Sequence, residues 1–122
     1  MMWLAVAVGA AVGAPCRYLL DTWLTSRFGR WLPWGTVTVN LIGSAFLGML
    51  AGTALVRPVN AAVSALLGVG FCGAFTTAST LAWETVALAE DGWPARAVAN
   101  IALSLVAGLG LSAAGFALAL AW

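Results

Sequence analysis

The chain has 122 residues, of which 63% are hydrophobic and 7% are charged. A soluble protein is usually about half apolar and about a quarter charged, so this composition indicates an integral membrane protein. The basic residues are five arginines, which are too few for a protein that neutralises nucleic-acid phosphates, and we expect no nucleic-acid partner. With no histidine and no convincing nucleophile and base, the sequence also argues against an enzyme.

Four segments are long and apolar enough to cross a bilayer core of about 30 Å, which takes about 20 residues of helix. They are residues 3–23, 34–56, 61–88 and 95–121. The short connections contain Pro33, Pro58 and Pro94 near predicted helix starts, where a missing N–H costs least. The apolar beginning lacks a basic leader and runs into the first span, so we expect no cleaved signal peptide. The predicted fold class is an all-α membrane protein, a single four-helix transmembrane domain over residues 1–122.

The loop arginines indicate the orientation only weakly. Arg27, Arg30 and Arg96 lie on one predicted side of the membrane, and Arg57 lies on the other. Because positive loops favour the cytoplasm, the first and third loops are mildly favoured inside. So small a bias also permits insertion in both orientations.

Small and polar residues recur at helical spacing on three of the spans, so that each of these spans has one distinctive face. The first span carries Gly9, Gly13, Arg17 and Asp21, the second carries Thr36, Asn40, Gly43 and Ser44, and the fourth carries Asn100, Ser104, Gly108, Ser112 and Gly115. Such faces either let helices pack closely or face a second copy of the chain. Four helices enclose too little space for a wide pore, and we favour a dimer.

Two polar residues within the spans each have two interpretations. Asn40 either makes an interhelical hydrogen bond or directs its amide donors into a water-filled path, where they replace the hydration shell of an anion. Arg17 either extends its side chain to the membrane interface or lies in an aqueous vestibule.

The third span contains the most polar and least helical stretch, GFCGAFTTASTLAWE, residues 70–84. Its glycines lower helix propensity by about 1 kcal/mol each, and its hydroxyl side chains compete for backbone hydrogen bonds. We therefore predict a break in the helix at mid-membrane, which is a candidate ion or substrate site. Beyond the break Thr77, Thr80 and Glu84 share a face. Either they form a ladder of donors for a small hydrated anion, or the hydroxyls bond their own helix and Glu84 reaches the interface.

The chain resembles the small fluoride channels known as Fluc or CrcB proteins. The resemblance rests on GAAVGAPCRY in the first span, WGTVTVNLIGSAFLG in the second and GFCGAFTTAST in the third, together with the fourth span that begins with asparagine. It covers essentially the whole chain, and the combination of the second and third motifs at this spacing is specific.

The resemblance implies a passive fluoride exporter in the cell membrane, a multi-pass protein of the bacterial inner or plasma membrane that confers fluoride resistance. It implies an antiparallel, dual-topology dimer with two ion pathways. It also implies a structural sodium ion at the dimer centre, held by the backbone carbonyls of Gly73 and Thr76. The ion pathway that the resemblance and the polar faces together predict consists of Arg17, Asn40, Thr77, Ser79, Thr80 and Ser104.

The sequence departs from the family pattern at two positions. Family members commonly read TTFSTF where this chain reads TTASTL, so that Ala78 and Leu81 replace two phenylalanines. The edges of those rings carry positive partial charge and can face an anion. Either conduction tolerates the change, or this chain pairs with a different, paralogous subunit that retains aromatic residues.

Two alternatives to a self-sufficient fluoride channel stay open in the sequence. One is a non-conducting or obligate heterodimer subunit of such a channel. The other is a small four-helix, proton-coupled drug exporter, which would need a carboxylate within its first helix. Only Asp21, near the end of that span, is available.

Overall fold

The computed structural model describes residues 2–122, and its described elements are all helical. The first two spans are single helices, α1 (Met2–Phe28) and α2 (Trp34–Val56). The third span, Ala61–Glu90, contains α3 (Ala61–Ser64), a first π-helical segment (Ala65–Cys72), α4 (Gly73–Phe75) and α5 (Ala78–Glu90). The fourth span, Pro94–Ala121, contains α6 (Pro94–Ala102), a second π-helical segment (Leu103–Ala107) and α7 (Gly108–Ala121). These four spans confirm the prediction of an all-helical protein with four helices apolar enough to cross a membrane.

The helices end where glycine and proline allow the chain to turn. Gly29 and Gly92 follow the first and third spans and have φ angles of 78° and 86°, a conformation that glycine adopts without steric cost. Pro94 occupies the first turn of α6, where it removes no helical hydrogen bond. Helix α1 extends past residue 23, the predicted end of the span, and reaches Phe28. Its last turn is polar and includes a hydrogen bond from Ser26 Oγ to the Trp23 carbonyl, 2.8 Å long.

Glycines allow the close helix packing that positions the site. A Cβ added to Gly13 would lie 3.2 Å from the Phe71 Cα, so α1 meets the backbone of the first π-helical segment. A Cβ added to Gly48 would lie 2.8 Å from the carbonyl carbon of Ser112, so α2 meets the backbone of α7 in the same way. Gly13 of the first-span face and Ser112 of the fourth-span face therefore pack within the chain.

Aromatic rings hold an arginine where the first and third loops meet. The Arg96 guanidinium carbon lies 3.9 Å from the centre of the Trp93 ring and 4.8 Å from the centre of the Trp31 ring. Such cation–π contacts stabilise by about 0.5–1 kcal/mol at exposed sites. At the other end of the bundle, Arg57 Nη2 donates a hydrogen bond of 3.0 Å to the carbonyl of Trp122.

The packing predicts that Gly48→Ala destabilises the fold and that Gly110→Ala does not. The added methyl at position 48 would press on the Ser112 backbone, which cannot rotate away, and overpacking of this kind costs about 1–3 kcal/mol. A Cβ at position 110 meets no atom within 4 Å, and alanine is the better helix former by about 1 kcal/mol. Thermal unfolding of both variants in detergent measures the difference. Equal stability would contradict the proposed packing of α2 on α7.

Candidate functional site

The backbone of the third span leaves helical geometry at Thr76 and Thr77. Thr76 has φ −86° and ψ 160°, and Thr77 has φ −154° and ψ 121°, which are extended conformations between α4 and α5. Thr77 then caps α5, because its Oγ1 accepts a hydrogen bond from the Thr80 amide at 3.2 Å. Thr76 Oγ1 donates to the Cys72 carbonyl at 2.8 Å. Both threonines therefore use hydroxyl groups to satisfy the backbone around this interruption.

Asn40 on α2 pairs with the extended backbone through both ends of its side-chain amide. The Thr77 amide donates to Asn40 Oδ1 at 2.8 Å, and Asn40 Nδ2 donates to the Thr77 carbonyl at 3.0 Å. Asn40 thus makes hydrogen bonds between two helical spans, as one of its two interpretations predicts. A side-chain amide carries two N–H donors, and one of them is left after the bond to Thr77.

At the interruption, two backbone amides of the third span donate to side chains instead of to the carbonyls that they would bond in a regular helix. The Thr77 amide, four residues after Gly73, donates to Asn40. The Thr80 amide, four residues after Thr76, donates to the hydroxyl of Thr77. In an α-helix these amides would close the bonds to the Gly73 and Thr76 carbonyls.

A cavity of about 250 Å³ opens beside the Asn40 pairing. Its lining combines polar groups of three spans with the two altered aromatic positions: Asn40, Gly43, Ser44, Leu47, Thr76, Thr77, Ala78, Leu81, Ser104 and Leu105. Among the predicted pathway residues, the structure thus brings together Asn40, Thr77 and Ser104. Ser44 also lines this cavity, although it was not among the predicted pathway residues. Its position on the polar face of the second span is the sequence feature that could have identified it.

A second, larger cavity of about 800 Å³ lies toward the first and third loops. Thr80 and Glu84 line it with Asp21 and Arg30. The Glu84 carboxylate accepts a hydrogen bond from Thr36 Oγ1, in the first turn of α2. Asp21 lies against the adjacent Gly35. Two carboxylates therefore meet the N-terminal end of α2, where the helix dipole favours negative charge.

The remaining predicted site residues lie apart from these cavity linings. Arg17 is half-buried on α1, and Ser79 is exposed at the start of α5. Ser79 Oγ lies 3.3 Å from the hydroxyl of Thr77. Gly73 is exposed, and a Cβ built on it meets no atom within 4 Å. The chain's own side chains leave the surface around Gly73 open.

One polar pair across the bundle had no signal in the sequence. Asn100 Nδ2 donates to Thr85 Oγ1 at 3.0 Å, and Thr85 Oγ1 donates to the Leu81 carbonyl at 2.7 Å. Asn100 stood out as a polar residue in the fourth span, but its partner could be identified only from the packing of α5 on α6.

Comparison with known proteins identifies the family. Residues 4–116 match the family model described as "CrcB-like protein, Camphor Resistance (CrcB)". The chain belongs to this CrcB-like family. The resemblance that the motifs indicated is thereby confirmed.

Relatives match this CrcB-like chain over almost its whole length. A protein of Frankia casuarinae named "Fluoride-specific ion channel FluC 1" is 47% identical, covering 98% of this chain and 96% of that protein. A protein of Streptomyces avermitilis with the same name is 45% identical, covering 94% and 93%. "Fluoride-specific ion channel FluC 2" of Mycobacterium tuberculosis is 44% identical, covering 93% and 87%.

The Asn40 geometry predicts that Asn40→Leu destabilises the chain. The substitution leaves the Thr77 N–H and C=O without their partners, at about 1–3 kcal/mol for each group. Asn40→Asp keeps an acceptor for the Thr77 N–H and loses the donor, so its unfolding free energy should fall between those of the wild type and Asn40→Leu. Unfolding in detergent measures this order.

The matched control is Asn60→Leu. Asn60 also bonds a backbone amide, since its Oδ1 accepts from the Ala62 N–H at 2.8 Å, but it lies exposed at the start of α3. Loss of such a cap costs about 1 kcal/mol. If Asn40→Leu were no less stable than Asn60→Leu, the structural role of the Asn40 pairing would be wrong.

Proposed function

We propose that the chain is a fluoride-specific ion channel, or a subunit of one, that passively exports fluoride across the cell membrane and so lowers its toxicity in the cytoplasm. The observation that carries this proposal is the similarity over 98% of the chain to a protein named as a fluoride-specific ion channel. The cavity at the interrupted third span supports it, because polar side chains from three spans line it within a chain otherwise suited to lipid.

Fluoride is small and strongly hydrated, so a pathway must replace its water with other donors. Asn40 and Ser104 line the cavity, and the second N–H of Asn40 is suited to this exchange. Ser104 Oγ is buried in the cavity wall, and in this proposal its hydroxyl hydrogen turns toward the ion. Thr77, Ser79 and Thr80 extend the run of hydroxyls toward the larger cavity. In this proposal Arg17 contributes positive charge at a vestibule and attracts the anion before it enters.

The working unit in this proposal is an antiparallel dimer with two pathways, and the interruption at Thr76 and Thr77 is the break in its third helix. The exposed surface around Gly73 is open to a second copy. The sparse loop arginines suit a chain that inserts in both orientations. Membrane lipid would cover the remaining apolar surface.

A sodium ion at the dimer centre fits the carbonyls that the resemblance assigns to it. The amides that would normally bond Gly73 O and Thr76 O donate to Asn40 and to Thr77 Oγ1 instead, so both oxygens are available to a cation. Backbone carbonyls suit hard cations. Gly73 and Thr76 would contribute these oxygens from each subunit, and the ion would supply positive charge between the two third spans.

The altered positions favour a heterodimer as the conducting form. Ala78 and Leu81 line the cavity beside Asn40, where the family pattern places aromatic rings. A homodimer lacks these rings in both pathways, whereas a paralogous partner with phenylalanines would restore them.

Fluoride efflux from liposomes distinguishes these forms. A fluoride-selective electrode should record efflux from liposomes that contain both this chain and a paralogous subunit. The chain alone should export at least about tenfold more slowly if the missing rings contribute about 1.4 kcal/mol or more to passage.

The control uses the variant Ala78→Phe/Leu81→Phe of this chain alone, which should recover efflux without the partner. Fast efflux by the unaltered chain alone would contradict the need for a heterodimer. Absence of fluoride efflux in every combination, with drug-stimulated proton flux instead, would contradict the channel.

A further inference from the structure

A buried polar cluster lies where the fourth span changes from α-helical to π-helical geometry. Asn100, in α6, has no exposed surface, and Ser104, within the second π-helical segment, is 7% exposed. Asn100 Oδ1 and Ser104 Oγ are both buried without a hydrogen-bond partner among the described residues. The two residues are four positions apart, which places them on the same side of the helix.

The orientation of the Asn100 amide is determined by its neighbours. The Thr85 hydroxyl donates its hydrogen to the Leu81 carbonyl, so it can only accept from Asn100. The nitrogen of the amide must therefore face Thr85, as the 3.0 Å bond requires, and the oxygen must face the other way. A buried amide oxygen without a donor is unfavourable, most of all within a membrane.

We propose that a water molecule bound between Asn100 Oδ1 and Ser104 Oγ is a resident part of the folded chain. Because Asn100 has no exposed surface, neither lipid nor a side chain of a second subunit can supply the missing donor. Buried waters typically make about three hydrogen bonds to polar groups that lack other partners. The π-helical turn is wider than an α-helical turn and commonly marks a functional position.

The cavity gives this water a route into the chain and a connection to the pathway. Ser104 lines the cavity beside Asn40, so water can enter there. An amide oxygen only accepts hydrogen bonds, so the water donates one hydrogen to Asn100. In the arrangement that we propose, it donates its second hydrogen to Ser104 Oγ, which accepts through a lone pair. The hydroxyl hydrogen of Ser104 is then directed toward the cavity. That this hydrogen is offered to fluoride rests on the proposed function, whereas the water site does not.

Solid-state NMR of the full-length chain in bilayers tests the water site by magnetisation transfer from water. The Asn100 side-chain carbonyl carbon should receive water magnetisation early although the residue is fully buried. Val39 is equally buried at 0% exposure and apolar, and it should receive it several times more slowly. Equal, slow transfer to Asn100 and Val39 would overturn the proposal.

Substitutions assign the water to this pair of residues. Ser104→Ala removes one arm of the site and should slow the transfer to Asn100 several-fold, whereas Ser112→Ala, the same change farther along the fourth span, should leave it unchanged. Undiminished transfer in Ser104→Ala would overturn the assignment to Ser104. A chain that proved unable to conduct fluoride would still show the water, so this result is separate from the test of the proposed function.

A crystal structure at about 2 Å resolution supplies a second readout. We expect solvent density within about 3 Å of both oxygen atoms. A direct hydrogen bond from Ser104 Oγ to Asn100 Oδ1, with no solvent between them, would overturn the proposal.

Discussion

The two hydrogen bonds between the Asn40 side chain and the backbone of Thr77 stabilise the part of the chain where helical pairing fails. In a bilayer an unpaired amide or carbonyl finds no water to bond with, so an interruption persists only where protein groups satisfy it. Asn40 supplies one acceptor and one donor to the same residue. The Thr77 amide that donates to Asn40 is thereby kept from the Gly73 carbonyl, its partner in a regular helix.

Most polar groups in the interrupted region bond to the backbone, and in the proposed channel the rest are available to an ion. The hydroxyls of Thr76 and Thr85 donate to carbonyls of their own span, and Thr77 caps α5. Within the part of the chain that the structure describes, the second N–H of Asn40 has no partner, and Ser104 Oγ is buried without one in the wall of the cavity. In the proposed channel these groups join the hydroxyls of Ser79 and Thr80 as donors for a small anion.

Glycine residues allow the helices around the polar region to pack closely. Gly13 brings α1 against the backbone near Phe71, and Gly48 brings α2 against α7. On α2 itself, a Cβ added to Gly43 would lie 3.6 Å from the Thr76 Cβ, so α2 lies close against the interrupted segment one turn from Asn40.

Hydrophobicity and motif spacing were sufficient to predict the four spans and the family, since both depend on local sequence. The glycines and hydroxyl residues of residues 70–84 led to the prediction of a break at mid-membrane, which stays a prediction. The hydrogen-bond partners across the bundle could not be predicted in this way, because they depend on how the helices pack. Three pairs illustrate this: Thr36 with Glu84, Asn100 with Thr85, and Asn40 with Thr77. The π-helical segments likewise have no clear local signal. The position of Arg17 relative to an ion stays a prediction.

Hydrogen exchange at the Thr77 amide tests the central role of Asn40 most directly. Thr77 lies outside regular helix and beside a cavity, so an unpaired amide there would exchange with D₂O about as quickly as that of the exposed Arg30 in the first loop. The Asn40 pairing predicts protection by at least about 100-fold in the bilayer-embedded chain, which corresponds to an opening free energy of about 2.7 kcal/mol. Exchange at Thr77 as fast as at Arg30 would contradict the central role of this pairing.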